Sequence, residues 1–308
     1  MASMPSLRDR VFSAYGLLIL PQFLWATNAI VGKIAAQHGI PPVALAFWRW
    51  VLAFAFLLPF AWSALVADRA KLRAHWPMVL VLGALSAGAY NALMYAALAT
   101  STAINVTLVA SAMPVVMALL ARVWLGERLN GRQGLGIAIS ALGVVVVVAR
   151  GDITVLLSLA LNRGDLLMLL AMASWSVYSV LLRRHPLGLK PISLLAGQIG
   201  AGVLVLVPIY AWERAGGAVL PLDLTTAWVL PYTAIFPAIF AFYFWNRGVA
   251  AVGPSIAGVY TNLMPILTAL LAVWLLGEEF AWYHMAGLAL ILGGIAFVTG
   301  LPRRRAGA

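Results

Sequence analysis

Polar and aromatic side chains recur at helical spacing inside long apolar stretches of this sequence, where they could line a cavity for a small molecule. Asn91 and Tyr95 lie four residues apart, and Trp175 and Tyr178 lie three apart, so each pair shares one face of a helix. Such a face can contact a ligand or hydrogen-bond to a neighbouring helix. Both interpretations stay open for Asn91 and Tyr95. The central position of Trp175 and Tyr178 in their stretch favours cavity lining.

Two further stretches carry the same residue types close to prolines. A proline leaves one carbonyl without its helical donor and permits a bend, which suits either a gate or a fixed kink. The predicted substrate-binding residues are Trp25, Tyr90, Asn91, Tyr95, Trp175, Tyr178, Tyr243, Asn246, Tyr260 and Asn262. The predicted gating or kink residues are Pro114, Pro237 and Pro265.

Lys33 and Arg49 are the basic residues nearest the interior of the apolar stretches. Arg49 is flanked by Trp48 and Trp50, and its long side chain is predicted to snorkel toward the polar headgroups. The alternative is that Lys33 or Arg49 contacts a carboxylate of the substrate. The corresponding region of the second half carries the neutral Gln198.

The positions of the acidic residues and histidines argue against several functions. The nine acids all lie at the ends of apolar stretches or between them. Cation–proton antiport relies on a carboxylate buried in the membrane, so that mechanism is disfavoured. The four histidines are not spaced as metal ligands, cysteine is absent, and neither a G-x-S-x-G nor a Gly-rich phosphate loop occurs. The sequence therefore predicts no enzyme, no metal site and no cofactor.

The apolar stretches are long enough to cross a bilayer. Of the 308 residues, 64% are hydrophobic and only 9% are charged, a composition that requires lipid as the surrounding solvent. A helix needs about 20 apolar residues to cross the hydrocarbon. The sequence thus predicts an all-α integral membrane protein with ten transmembrane helices, at residues 15–36, 43–62, 77–99, 103–123, 132–149, 165–184, 191–212, 227–248, 254–276 and 282–301. The run from Ile153 to Leu161 is too short to cross, and no removable signal peptide is expected.

The net charge of +11 is unevenly distributed over the loops. With ten helices, fifteen Lys and Arg residues fall on one side of the membrane. The other five are Lys33, Arg49, Arg150, Arg163 and Arg214. Basic loops stay in the cytoplasm, which predicts a multi-pass protein of the bacterial inner membrane with both termini cytoplasmic. Because the basic residues are split among loops without an aromatic basic groove, nucleic acid is not expected as a partner.

An internal repeat divides the helices into two units. Met113 to Glu127 reads M-P-V-V-M-A-L-L-A-R-V-W-L-G-E, and Met264 to Glu278 reads M-P-I-L-T-A-L-L-A-V-W-L-L-G-E, with nine of fifteen positions identical at an offset of 151. Five helices per unit is an odd number, so the second unit enters the membrane in the opposite sense. We therefore predict two inverted five-helix repeats, residues 1–150 and 151–308, with the binding site between them.

These motifs carry a resemblance to a known family. The run P-x-x-x-A-L-L-A-x-x-x-L-G-E in both halves, W-A-T-N-A-I-V-G-K at residues 25–33 and F-W-R-W at residues 47–50 resemble the paired EamA domains of the drug/metabolite transporter superfamily. The resemblance covers essentially the whole chain. It implies a transporter of ten helices, most similar to the bacterial exporters of amino acids, including aromatic ones.

Together these predictions describe a secondary transporter that exports small metabolites across the inner membrane by alternating access. Neutral or aromatic amino acids are the favoured substrates. The alternatives are efflux of another small metabolite or of a drug and, more remotely, a membrane-embedded enzyme. Energy coupling stays open between proton antiport and facilitated exchange. The expected partners are the substrate and the lipid bilayer, and the protein is expected to be a monomer.

Overall fold

The part of the chain that the structure describes is helical and contains no β-strand. The structure is a computed structural model that describes residues 7–100, 110, 113–127, 129–149, 151–154, 163–276 and 281–299. Its helices are α1 (Leu7–Gln37), α2 (Pro42–Ala67), α3 (Arg69–Ala74), α4 (Trp76–Gly83, Ala84–Tyr90 and Asn91–Thr100), α5 (Met113–Leu125), α6 (Gly131–Val148), α7 (Arg163–Arg184), α8 (Pro191–Ala215), α9 (Leu224–Thr233, Ala234–Phe240 and Ala241–Val252), α10 (Pro254–Tyr260 and Leu263–Leu276) and α11 (Trp282–Thr299).

Several of these helices have the length and composition of membrane spans. Within the described residues, six stretches qualify: Gly16–Gln37, Pro42–Ala67, Trp76–Ala97, Leu166–Arg184, Pro191–Ala215 and Leu224–Val252. Met113–Leu125 and Met285–Phe297 are shorter apolar helices. Of the predicted span 103–123, the structure describes only residue 110 and residues 113–123. Of the apolar run from Ile153 to Leu161, it describes only the first two residues.

The predicted span 254–276 corresponds to helix α10, which is broken close to the predicted kink residue Pro265. Its two segments are separated by a turn at Thr261 and Asn262. Pro265 has no N–H to donate to the Thr261 carbonyl, so the α-helical ladder cannot continue through this point. The chain tightens instead, and the N–H of Thr261 donates to the Gly258 carbonyl at 3.0 Å.

Helices α4 and α9 each contain a widened, π-helical segment. These segments are Ala84–Tyr90 and Ala234–Phe240, seven residues each. Their first residues are 150 positions apart, and so are their last. A π-helical turn weakens the regular hydrogen-bond ladder and often occurs at functional sites. The two halves of the chain thus carry the same irregularity at the same place.

Helices α2 and α8 run antiparallel and cap each other. The carboxylate of Glu213, near the end of α8, accepts the N–H groups of Val43 at 2.9 Å and Ala44 at 2.7 Å, at the start of α2. The carboxylate of Asp68, just after α2, accepts the N–H of Lys190 at 2.8 Å, just before α8. The first N–H groups of a helix have no partner within the helix, so both contacts satisfy donors that would otherwise need water.

Helices α6 and α11 also run antiparallel, in contact through glycines. A Cβ atom on Gly143 would lie 2.9 Å from the Gly287 carbonyl oxygen, and one on Gly294 would lie 2.5 Å from the Gly136 carbonyl oxygen. Only glycine permits these backbones to approach so closely. Gly136 and Gly287 are 151 positions apart, as are Gly143 and Gly294. Each contact therefore joins one residue of the first half to the repeat equivalent of the other contact's residue.

The first helix of each half, α1 in residues 1–150 and α7 in residues 151–308, packs against helices of the other half. Helix α1 contacts α9 and α10, and α7 contacts α4 and α5. One continuous apolar core joins them, and its largest fully buried side chains include Trp50 and Trp245. The surfaces of α1 and α7 that face each other across this core lie beside a cavity.

Candidate substrate cavity

A cavity with a volume of about 730 Å³, including its open mouth, lies among helices α1, α4, α5, α7, α9 and α10. The described residues that line it are Gln22, Trp25, Asn28, Ala29, Tyr90, Asn91, Met94, Ala110, Met113, Trp175, Phe242, Thr261, Asn262, Met264 and Pro265. None of these carries a charge at neutral pH, so the wall suits an apolar group and neutral polar contacts.

Aromatic rings form one side of the cavity. Trp25 and Trp175 meet edge to face, with ring centroids 5.2 Å apart and planes at 90°. The ring of Trp175 also lies 4.8 Å from that of Tyr90 and 5.1 Å from that of Phe242, between centroids. These distances are typical of favourable aromatic pairs, which hold one another in fixed orientations. The cluster presents a rigid apolar surface to a ligand.

Four amides lie in the wall, beside the hydroxyl-bearing Tyr90 and Thr261, and three of the amides donate to protein groups. Gln22 Nε2 donates to the Leu18 carbonyl at 3.2 Å, and Asn91 Nδ2 donates to the Ser86 carbonyl at 3.2 Å. Asn262 Nδ2 donates to Ser140 Oγ at 3.1 Å. A backbone carbonyl only accepts, so the side-chain oxygens of Gln22 and Asn91 are turned away from these bonds.

The fourth amide, Asn28, lies in the cavity wall and is hydrogen-bonded to a charged cluster behind it. Its Oδ1 accepts from Arg49 Nη1 at 3.4 Å and from Tyr95 Oη at 3.1 Å. Arg49 Nη1 also donates to Tyr95 Oη at 2.5 Å. The Arg49 guanidinium lies over the Trp50 ring, 4.8 Å from its centroid, a cation–π contact. Arg49 is only 1% exposed, so the predicted snorkelling is wrong: these partners hold its side chain inside the protein.

A neutral cluster occupies the corresponding place in the second half. Tyr178 Oη donates to Asn246 Oδ1, and Asn246 Nδ2 donates to Gln198 Oε1 at 2.9 Å. All three side chains are buried. Asn28 and Tyr178 are 150 positions apart, Arg49 and Gln198 are 149 apart, and Tyr95 and Asn246 are 151 apart. The two halves thus build matching clusters, one with a cation and one without.

The π-helical segments are hydrogen-bonded to the first helix of the opposite half. Ser174 Oγ of α7 donates to the Leu85 carbonyl at 2.7 Å, and Trp25 Nε1 of α1 donates to the Pro237 carbonyl at 3.1 Å. Both acceptors lie inside widened turns, where the regular ladder is interrupted. The cavity wall is therefore connected directly to the most irregular parts of α4 and α9.

Six of the residues singled out in the sequence line the cavity: Trp25, Tyr90, Asn91, Trp175, Asn262 and Pro265. Tyr95, Tyr178 and Asn246 lie behind its wall, in the two polar clusters. Tyr260 is buried in α10, and Tyr243 is half-buried, with the Arg247 guanidinium 5.8 Å from its ring centroid.

The remaining predicted residues lie farther from the cavity. Lys33 is exposed on α1. Pro114 packs against Gly258, where an added Cβ would lie 3.3 Å from the Pro114 Cα. Pro237 lies in the π-helical segment of α9 and accepts from Trp25. The described contacts of Pro114 and Pro237 are with neighbouring helices.

Sequence reasoning missed several lining residues, above all Gln22 and Asn28. The sequence did contain evidence for Gln22 and Asn28, because both are amides within the predicted apolar span 15–36. A polar side chain inside the membrane raises the free energy of the protein unless it has a hydrogen-bond partner, so such residues are candidates for a functional site. Phe242, Met94 and Met113 offered no such signal, since an apolar side chain in an apolar helix is ordinary.

Known proteins resemble this chain over most of its length. An uncharacterized transporter, YyaM, of Bacillus subtilis (strain 168) is 26% identical over 264 residues, 85% of this chain and 86% of that protein. An uncharacterized transporter of Archaeoglobus fulgidus is 28% identical and covers 92% of this chain and 96% of its own. The uncharacterized inner membrane transporter YedA of Escherichia coli (strain K12) is 24% identical, over 92% of this chain and 90% of its own.

The fold is also found in a solved structure. A protein known by its crystal structure superposes with a TM-score of 0.76 at 24% sequence identity, covering 96% of this chain and 99% of its own. The EamA-like transporter family matches this chain twice, at residues 12–149 and 162–300. The chain therefore belongs to the EamA-like transporter family and is a multi-pass membrane transporter.

Proposed function

We propose that the protein is a secondary transporter that exports small neutral molecules, with neutral or aromatic amino acids as its favoured substrates. The observation that carries this proposal is the cavity, whose described lining combines four aromatic rings with four amides and no charge. Rings of this kind bind an apolar or aromatic side chain, and amides satisfy the polar groups of a molecule without net charge.

We further propose that the protein works by alternating access between two inverted five-helix repeats, residues 1–150 and 151–308, which give ten transmembrane helices. Two features support the inversion. Equivalent helices run antiparallel in the pairs α2 with α8 and α6 with α11, and the π-helical segments are 150 positions apart. In transporters of this design the substrate binds between the repeats, where both halves contribute to the wall.

The proposal includes a location and an oligomeric state. Both termini lie in the cytoplasm and the membrane is the bacterial inner membrane, as the distribution of basic loop residues favours. The working unit is a monomer, because helices of a single chain surround the cavity. Export of another small metabolite or of a drug is the alternative, and the same uncharged wall would suit it.

The test is transport by the purified protein in proteoliposomes. Vesicles loaded with unlabelled L-phenylalanine should accumulate external radiolabelled L-phenylalanine by exchange, with saturation and with competition from L-tryptophan. A parallel panel of radiolabelled drugs, sugars and organic acids should be tested for exchange, each in vesicles loaded with its own unlabelled form. Saturable exchange of a panel compound, with no exchange of any neutral amino acid, would replace the amino-acid assignment by the alternative.

A further inference from the structure

We propose that Asn28 binds the carboxylate of the substrate, and that the buried Arg49 is the positioning residue that turns the Asn28 N–H donors toward the cavity. The inference rests on the proposed function, because it requires a substrate that carries a carboxylate, as amino acids do. Arg49 acts through Asn28, since Asn28 lines the cavity and Arg49 lies behind it.

The hydrogen bonds of Asn28 determine which way its amide faces. Its Oδ1 accepts from both Arg49 Nη1 and Tyr95 Oη. A guanidinium has donors and no acceptor, so Asn28 must present its oxygen to Arg49. Its Nδ2 therefore points away from this cluster and donates to no residue that the structure describes. These two N–H donors are available to an acceptor in the cavity.

The positive charge of Arg49 favours an anion as the acceptor that binds to Asn28. None of the described carboxylates lies within ion-pair distance of Arg49, and its Nε has no hydrogen-bond acceptor among the described residues. Its side-chain partners are two neutral groups and an aromatic ring. A buried cation with only neutral partners is unstable unless an opposite charge approaches. A substrate carboxylate on Asn28 supplies that charge through one intervening amide.

Other amides of the wall have the opposite polarity. Gln22 and Asn91 each use one of their two N–H donors on a backbone carbonyl, and their side-chain oxygens are turned away from that bond. Gln22 Oε1 is buried and has no partner among the described residues. Asn28 therefore offers an anion two N–H donors, whereas Gln22 and Asn91 each offer at most one beside an oxygen that repels a carboxylate. The neutral cluster around Gln198 provides no equivalent cation in the second half.

Three probes with the same phenyl group separate this inference from general binding: L-phenylalanine, 3-phenylpropanoate, which lacks the amine, and 2-phenylethylamine, which lacks the carboxylate. The apparent KM of each is measured by exchange in proteoliposomes. In Asn28→Asp the new carboxylate pairs with Arg49 and the donors are lost. The KM for both carboxylate probes should then rise about tenfold or more, as expected for losing a charge-assisted hydrogen bond. The KM for 2-phenylethylamine should not rise.

Arg49→Gln should raise the KM for the carboxylate probes in the same way, and Arg49→Lys should restore it to within about threefold, because a cation returns. Asn246→Asp makes the same chemical change in the neutral cluster, and any loss should fall equally on all three probes. A cooperative thermal unfolding transition in detergent shows that the Asn28 and Arg49 variants are folded, independently of any exchange activity.

The outcomes separate the two proposals. If the wild-type protein exchanges none of the three probes, the proposed amino-acid function is overturned, and this inference with it. If the wild-type protein exchanges L-phenylalanine, but Asn28→Asp and Arg49→Gln change the KM of all three probes alike, only the role of Asn28 and Arg49 is overturned. A selective loss of carboxylate probes in Lys33→Gln, with Arg49→Gln unaffected, would assign the carboxylate to Lys33 instead.

Discussion

The Glu213 carboxylate lies at the first turn of helix α2, where its Oε2 accepts the N–H of Ala44 at 2.7 Å. A second oxygen of the same carboxylate accepts the N–H of Val43. One side chain, 169 positions away in sequence from Ala44, thus satisfies two donors that the helix itself cannot.

Removing this cap should destabilise the protein. Glu213→Ala leaves both N–H groups without the carboxylate and should lower the free energy of unfolding by about 1–2 kcal/mol, the usual effect of a lost helix cap. The measurement is thermal unfolding in detergent. Arg214→Ala, at the exposed neighbouring position, is the control and should unfold within error of the wild type. Equal unfolding of all three proteins would contradict the assigned role of Glu213.

The cap formed by Asp68 should make stability depend on pH in acid. The hydrogen bond from the Lys190 N–H lowers the pKa of Asp68 below its ordinary value of 3.8. A carboxyl group whose pKa is lower in the folded state than in the unfolded state stabilises the folded protein. This contribution is complete when the pH is above the unfolded-state pKa, and it is lost as the pH falls through the folded-state pKa. Asp68→Asn should therefore be less stable than the wild type at pH 7, and the difference should shrink below about pH 4. Thermal unfolding between pH 3 and pH 7 measures this, and a difference independent of pH would argue against the cap.

The aromatic surface of the cavity should govern affinity for aromatic substrates. Trp175→Leu removes the ring that contacts Trp25, Tyr90 and Phe242, and the KM for L-phenylalanine exchange should rise about tenfold, since aromatic packing contributes about 1 kcal/mol beyond the lost area. Trp212→Leu is the matched control, because Trp212 is 84% exposed on α8. Comparable KM values for the two variants would exclude Trp175 from the binding surface.

Neighbouring glycines of α11 should respond oppositely to alanine. A Cβ on Gly294 would lie 2.5 Å from the Gly136 carbonyl oxygen, whereas a Cβ on Gly293 would have nothing within 4 Å. Gly294→Ala should force α6 and α11 apart and destabilise the protein by about 1–3 kcal/mol. Gly293→Ala should be neutral or slightly stabilising, because alanine favours helix. Thermal unfolding distinguishes them, and a stable Gly294→Ala would show that the two helices do not meet as described.

The proposed inversion can be tested from the outside of the cell. Arg128 and Glu279 follow equivalent L-G-E motifs, and both lie outside the described residues. In inverted repeats they are on opposite membrane faces, with Arg128 cytoplasmic. The chain has no cysteine, so Glu279→Cys should react with a membrane-impermeant thiol reagent on intact cells, and Arg128→Cys should react only after lysis. Labelling of both on intact cells would contradict the inversion.

The long helices could be predicted from sequence, whereas the site was predictable only in part. Helices α2 and α8 start at Pro42 and Pro191 and continue as long as the apolar run does, because apolar length is a local property. The polar clusters depend on tertiary contact: Asn28 and Tyr95 are 67 positions apart and meet only when the helices pack. The π-helical segments escaped prediction for a similar reason, since their carbonyls are bonded by Ser174 and Trp25 from the opposite half.

The mutual capping of α2 and α8 limits how this protein can move. A sliding of either helix by one residue, about 1.5 Å, would break the carboxylate bonds at both ends of the pair at once. We therefore expect the pair to move as one rigid body, and the cavity to open through movement of α1, α7 and the π-helical turns to which they are bonded. Spin labels on the exposed Phe60 and Leu204 should keep one distance in every state of the transport cycle.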